Sequence, residues 1–177
     1  ADFDGDGNLD VVTANHAFVQ VFAGNVDGTL AEPVRYDEAR QARFVTVGDL
    51  NGDASPDLIT MRVRQTSVAE RLDPGAGTFG ARLIVPVGSE AFTVASGDFD
   101  GDGNDDLAVA DVNDFVVLLS QGDGTFSEPG RFPIGDRRPT EIESHDLNGD
   151  GILDLVAVHD AGVEDGEGDI ARSKKSR

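Results

Sequence analysis

One nine-residue phrase recurs four times in this 177-residue chain, and its spacing constrains the fold more than any other feature. The copies are Asp2-Phe3-Asp4-Gly5-Asp6-Gly7-Asn8-Leu9-Asp10, Asp49-Leu50-Asn51-Gly52-Asp53-Ala54-Ser55-Pro56-Asp57, Asp98-Phe99-Asp100-Gly101-Asp102-Gly103-Asn104-Asp105-Asp106 and Asp146-Leu147-Asn148-Gly149-Asp150-Gly151-Ile152-Leu153-Asp154. Successive copies begin 47, 49 and 48 residues apart. A fixed period of this size marks a repeat architecture, in which each unit buries its apolar face against the next. A second phrase keeps the same phase, as Asp27-Gly28-Thr29-Leu30, Gly75-Ala76-Gly77-Thr78-Phe79 and Asp123-Gly124-Thr125-Phe126. The chain reads as two full repeats flanked by partial ones.

Each closing Asp is followed by a short apolar run: Val11-Val12, Leu58-Ile59, Leu107 to Ala110 and Leu155 to Val158. Runs of this length, bounded by Gly, Asp and Asn, are strands, and those apolar at consecutive positions are buried on both faces. A second strand is expected after a polar turn, at Phe18 to Phe22, Val68 to Leu72 and Phe115 to Leu119. A third follows the Gly-Thr turn, at Val34 to Tyr36, Leu83 to Val87 and Arg131 to Ile134. The fourth leads into the next acidic loop, at Phe44 to Val47, Phe92 to Ala95 and Glu141 to Ile142. No segment has helical periodicity. Four short antiparallel strands in a period of about 40 to 50 residues is the arithmetic of a propeller blade. The fold expected is therefore all-β, an incomplete propeller ring of about three to four blades. Residues 1–162 carry the repeats, and 163–177, acidic and then basic with little apolar content, is expected to be a disordered tail.

Acids at alternate positions of a tight loop repel one another unless a cation lies between them, and an all-oxygen set on a flexible loop suits Ca²⁺. Asp-Gly pairs also mark ordinary turns. Turn formation accounts for Gly5 or Gly101 but not for acids at positions 1, 5 and 9 of every copy. An EF-hand requires a bidentate Glu at position 12 between two helices. Here position 12 is Thr13, Thr60, Val109 and Ala157, all in expected strands. A dockerin fails on the same ground, and the nonapeptides of RTX β-rolls would repeat without long gaps.

From Asp2 to about Asp160 the chain resembles the FG-GAP/VCBS repeat family, the calcium-loop propellers that include integrin α heads and many bacterial secreted proteins. The resemblance rests on the stretch Gly97 to Val109 with Gly122-Asp123-Gly124-Thr125-Phe126 after it. It implies a loop joining the first two strands of a blade, with side chains at positions 1, 3, 5 and 9 and the position-7 carbonyl as ligands. Carried over, the first site comprises Asp2, Asp4, Asp6, Asn8 and Asp10, and the third Asp98, Asp100, Asp102, Asn104 and Asp106. The fourth comprises Asp146, Asn148, Asp150, Ile152 and Asp154. The second, Asp49, Asn51, Asp53, Ser55 and Asp57, departs most. Ala54 stands where a glycine with positive φ is expected, and Pro56 stiffens position 8. The implied cofactor is up to four Ca²⁺. Phe79, Phe126 and, in the equivalent place, Leu30 are expected to be core anchors between blades.

The formal charge of −20, from 14 basic and 34 acidic residues, argues against nucleic acid and anionic membranes as partners. No apolar stretch reaches the roughly 20 residues of a membrane span. With no Cys there is no disulfide framework or thiolate chemistry. Oxygen-cage sites of extracellular modules bind at about 10⁻⁴ to 10⁻³ M, so structural loops of this kind would fill most readily outside the cell. His16, His145 and His159 lie at unrelated phases of the repeat, and no nucleophile motif or phosphate loop is present. The only Tyr is Tyr36 and there is no Trp, which gives little support to sugar stacking. The reading is a calcium-stabilised extracellular scaffold for protein or ligand binding or adhesion, without catalysis of its own. Its partners would be the remaining blades of a parent chain or a second copy, and an extracellular protein or glycan. The rival is the propeller portion of a secreted polysaccharide lyase or hydrolase whose catalytic residues lie elsewhere. A third reading, a calcium buffer or sensor, would require a large conformational change on binding.

Overall fold

Short turns between apolar runs let each strand pair with the next in the chain, and every sheet is an antiparallel meander. The computed structural model describes all residues except 16, 39–41, 136–138, 160–169 and 174–177. Blade 1 holds β1 (Val11–Asn15), β2 (Phe18–Phe22) and β3 (Val34–Asp37). Blade 2 holds β4 (Phe44–Gly48), β5 (Asp57–Met61), β6 (Gln65–Arg71) and β7 (Leu83–Ala91). Blade 3 holds β8 (Thr93–Gly97), β9 (Asp106–Ala110), β10 (Asp114–Leu118) and β11 (Gly130–Pro133). Blade 4 holds β12 (Pro139–His145), β13 (Asp154–His159) and β14 (Ile170–Ser173). No helix occurs among the described residues.

Period-2 alternation along the second strands explains why the blades stack. Leu58 points into a cluster with Phe3, Val19, Val21 and Phe79, between blades 1 and 2. Its neighbours Ile59 and Met61 point the other way, to meet Leu107, Val109, Val116 and Leu118 of blade 3. Ala108 and Ala110 in turn face Ile142, Leu155 and Ala157 of blade 4. Strands β5 and β9 are thus buried along their whole length, which is why their sequences are apolar at consecutive positions. The first strands are also joined by hydroxyls. Ser96 Oγ donates to the Val47 carbonyl at 2.7 Å, and Ser144 Oγ donates to the Ser96 carbonyl at 2.8 Å.

Two expectations need correction. Phe79 is buried and Phe126 packs against the cluster between blades 2 and 3, but Leu30 is 47% exposed and anchors nothing. An anchor of this type packs on position 2 of the preceding blade's loop, as Phe79 does on Phe3, with ring centroids 5.3 Å apart. No described blade precedes Leu30. Within the stretch expected to be a tail, Ile170–Ser173 forms β14 and pairs antiparallel with β13. The unpaired edge of β13 would otherwise leave a row of N–H and C=O groups without partners. The rest of that stretch, like His16, lies outside the described residues.

Candidate metal centres

Three of the acidic loops join the first and second strands of their blades, and the loop at Asp2 leads into β1: Asp49 to Pro56 connects β4 to β5, the loop at Asp98 connects β8 to β9, and that at Asp146 connects β12 to β13. The loop conformation is written by its own side chains. Position 1 accepts two backbone N–H groups, those of positions 4 and 6. For Asp98 these are Gly101 at 2.6 Å and Gly103 at 3.0 Å, and for Asp2 they are Gly5 at 2.8 Å and Gly7 at 2.9 Å. Asp49 and Asp146 repeat the pattern with Gly52 and Ala54, and with Gly149 and Gly151. Position 3 accepts from position 5 in each copy, through Asp4, Asn51, Asp100 and Asn148. The residues that would offer carbonyls, Asn8, Ser55, Asn104 and Ile152, donate their N–H groups to Asp6, Asp53, Asp102 and Asp150 at 2.7, 2.9, 2.8 and 3.0 Å. Such side-chain-to-backbone bonds are what Asp and Asn supply in turns.

The closing Asp has a second function that sequence reasoning missed. Asp10, Asp57 and Asp106 are buried, and one carboxylate oxygen of each accepts the position-2 N–H, from Phe3, Leu50 and Phe99. The other oxygen reaches the chain just past the far end of the hairpin that the closing Asp opens, accepting the N–H of Gly24, Asp73 and Ser120 at 2.7, 2.7 and 2.8 Å. A single carboxylate therefore ties the loop to both ends of that hairpin. Asp154 makes the first of these bonds, to Leu147 at 3.2 Å.

Among the described residues, carboxylates converge as trios in two loops: Asp2, Asp4 and Asp10, and Asp98, Asp100 and Asp106, with one oxygen of each within 4.8 Å of the others. Asp6 and Asp102 stand outside these trios and also bond the side-chain amides of Asn8 and Asn104. In the loops at Asp49 and Asp146 position 3 is an amide, Asn51 or Asn148, and Asn148 Nδ2 donates to Asp154 Oδ2 at 3.3 Å. The donor set is all oxygen, and an oxygen that accepts one N–H keeps a lone pair for a cation, so the residues fit a hard ion such as Ca²⁺. Burial pushes the carboxyls of Asp57 and Asp106 up to about 6 against the pull of their backbone N–H bonds. The nearby Asp53 and Asp49 in one loop, and Asp100 and Asp102 in the other, add to the rise. The exposed Asp146 is held below its ordinary range by the Gly151 and Gly149 N–H groups.

Loop 2 shows the strain its sequence implies. Ala54 has φ of 67°, the left-handed conformation that Gly7, Gly103 and Gly151 adopt in the other copies. Behind this loop lie two further buried acids, Glu70 and Asp73, each with one carboxylate oxygen that has no hydrogen-bond partner. Burial, with Asp57 nearby, pushes Glu70 up to about 7. Val21 and Val117 occupy the corresponding register in blades 1 and 3. The charged residue at an otherwise apolar repeat position was the signal available in the sequence.

A family model described as an FG-GAP-like repeat matches residues 2–60 and 98–157. The chain belongs to the FG-GAP-like repeat family. None of the curated proteins matches it significantly. Among solved structures, an Agrocybe aegerita lectin that recognises non-reducing terminal N-acetylglucosamine is similar at 22% identity and a TM-score of 0.66, over 97% of this chain and 50% of the lectin. A chain of the Photorhabdus luminescens Tc holotoxin pore is similar at 22% identity and a TM-score of 0.59, over 92% of this chain and 8% of the toxin chain. BBS1N, in its complex with ARL6DN, is similar at 12% identity and a TM-score of 0.60, over 97% and 51%. The FG-GAP-like chain thus spans about half of two of these neighbours and a small part of the third. At such identities the likeness is one of fold, and the fold is β-propeller-like. Its four sheets are propeller blades, and membership of this repeat family points to a binding scaffold.

Proposed function

We propose that this FG-GAP-like chain is a calcium-stabilised β-propeller scaffold that works outside the cell in protein or ligand binding, including adhesion, with no catalysis of its own. The observation that carries the reading is the pair of converging carboxylate trios, each ending in a buried Asp bonded to its loop and to the far end of its hairpin. An ion there would relieve repulsion among fixed carboxylates and hold the loop against the blade. Because the unfolded chain lacks the cage, binding stabilises the folded state by mass action. The loops at Asp2 and Asp98, in which three of four ligand-position carboxylates converge, are the stronger sites. The loop at Asp146 follows, and the loop at Asp49 is the weakest.

The end blades support a partner of matching shape. Leu30 at one end and Leu147, 43% exposed at the other, are the two halves of the anchor that Phe3 and Phe79 complete inside the molecule. Further blades of a parent chain, or a second copy, would cover them. Tyr36 packs edge-on to Phe79 at 5.4 Å, which engages its ring in the core and leaves adhesion to be carried by loops and polar surface.

The test is thermal unfolding of the full chain in excess calcium and after removal of calcium by chelation, with binding measured by calorimetry. Two sites held at about 100 times Kd would add about 5 kcal/mol. For a chain of this length that corresponds to a rise in Tm of roughly 10 to 20 °C. Equal melting temperatures together with no heat of binding would overturn the reading.

A further inference from the structure

The loops of blades 2 and 3 are bonded directly to each other. The Asp105 N–H donates to the Asp49 carbonyl at 2.8 Å, and Asp105 Oδ2 accepts the Asp49 N–H at 3.0 Å. One residue thereby satisfies both backbone polar groups of another that is 56 positions away. The fit is close on both sides of Asp49. A Cβ at Gly48 would lie 2.7 Å from Asp105 Oδ2, and one at Gly52 would lie 2.6 Å from Asn104 Oδ1. Position 8 is the origin of this contact, and the other copies lack its chemistry. Pro56 has no N–H to donate in loop 2, Leu153 has no carboxylate in loop 4, and Leu9 has none in loop 1.

Resting on the calcium reading above, we propose that Asp105 couples two metal sites, so that filling the loop at Asp98 raises the calcium affinity of the loop at Asp49. Asp105 sits between Asn104 and Asp106, both ligand positions of loop 3. An ion in that loop fixes the segment 104–106 and with it the half-buried Asp105 side chain. Asp105 then holds the backbone of Asp49, the first ligand of loop 2. Loop 2 is the one that gains most when a neighbour orders it, since it has Asn51 in place of a carboxylate and Ala54 in a left-handed conformation. A site whose ordering has already been met by another ligand binds more tightly, and the coupling is reciprocal. Asp105 is a positioning residue in this scheme and contacts neither ion. Its carboxylate also lies between the two loops, where it offsets repulsion between two divalent ions.

The experiment is a calcium titration of the full 177-residue chain, ¹⁵N-labelled and followed by NMR. The amides of Gly52 and Gly101 report the two loops separately, because each donates to position 1 of its own loop. In the Asp98→Asn variant, with Asp105 intact, the midpoint at Gly52 is expected to rise about tenfold, within the 5- to 150-fold range usual for coupled sites. Asp105→Ala is expected to produce a similar rise at Gly52 while leaving Gly101, which fills first, unchanged. The double variant is expected to add nothing further, which separates coupling from a static role of Asp105 in shaping loop 2. An unchanged Gly52 midpoint in Asp98→Asn, or additive effects in the double variant, overturns the coupling and leaves the calcium reading standing. A Gly52 amide that does not move with calcium while Gly101 does overturns the coupling alone, and failure of both amides to move in the unaltered chain overturns the calcium reading with it. The Asp98→Asn arm leaves Asp105 untouched and decides the question even where Asp105→Ala unfolds the chain.

Discussion

The inner blades and the end blades are written in the same phrases and meet different surroundings. Every residue of β5 and β9 is buried, whereas β1, the matching strand of blade 1, alternates between exposed and intermediate. Val11 and Leu107 each follow a closing Asp directly, yet Val11 is 41% exposed and Leu107 fully buried. Position 2 of the loops depends on the blade that follows, with Phe3, Leu50 and Phe99 buried and Leu147, which no described blade follows, 43% exposed. Burial in this molecule is conferred by the neighbouring blade more than by the repeat's own sequence. Stability should then be distributed as nearest-neighbour interfaces, as in other repeat proteins.

The widest contrast to break is between those two matched positions. Leu107→Ala is expected to cost about 2 to 5 kcal/mol, because it opens a cavity in a cluster shared by two blades. Val11→Ala, at a partly solvated position, should cost less than about 1 kcal/mol. Urea midpoints compare the two, and equal losses would mean that burial by neighbours does not set stability here.

Acidity separates inner blades from end blades next. The folded chain holds the carboxyls of Asp57 and Asp106 protonated up to about 6 and that of Glu70 up to about 7, above their values in an unfolded chain. The stability this confers is fully present below about pH 4 and is lost as pH rises through 6 to 7. Calcium-free protein should therefore be more stable at pH 5 than at pH 7.5, by about 1 kcal/mol each for Asp57 and Asp106 and about 2 kcal/mol for Glu70. On the proposed calcium reading, added calcium should reverse the slope at Asp57 and Asp106, since only the carboxylate would bind the ion. Glu70→Val, which installs the residue type found at this register in blades 1 and 3, should flatten the calcium-free slope. A slope unchanged by that substitution would remove Glu70 from the account.

The smallest contrast lies between two inner loops. Ala54→Gly should stabilise the chain by about 1 kcal/mol, and Gly103→Ala, at φ of 95°, should destabilise it by about 1 to 2 kcal/mol. Matched thermal unfolding curves without calcium test both, and a loss from Ala54→Gly would show that loop 2 draws more from the alanine side chain than from backbone ease.

Much of the architecture could be read from the sequence because its determinants are local. The period, the phase of the loops and strands such as Phe18–Phe22 follow from alternation and turn residues within a few positions. The sequence marks strand β12 only at Glu141 to Ile142, whereas it extends over Pro139–His145. Its Thr140, Glu141 and Glu143 are exposed, so the apolar signal is thin, and backbone pairing with β13 sets its length. Strand β14 follows the same logic, recruited by an open edge rather than by its composition. The carboxylate trios at Asp2 and Asp98 are legible as spacing. The bonds that tie Asp57 to Asp73, and Asp105 to Asp49, are not, because they join residues whose relation exists only once blades have hairpins and neighbours.

The ion pairs around Glu38 follow the same rule at the junction of blades 1 and 2. Arg71 and Arg82 reach its buried carboxylate at 2.9 and 2.8 Å, and Arg71 also donates to the Asp37 carbonyl at 2.7 Å. A buried carboxylate with one partner removed is costly, so this network fixes which surfaces meet.

The anchors that pair position 2 of one loop with the Gly-Thr turn of the next blade carry a consequence for how such a chain can change in length. Because Phe3 meets Phe79, and Leu50 lies in the cluster against which Phe126 packs, removal of one whole period from any starting point would bring a like residue against a like turn. Removal of a fraction of a period would bring a strand against a loop. The gene can therefore lengthen or shorten by whole periods cut at any phase, and the boundary between one exchangeable unit and the next need not coincide with the edge of a blade.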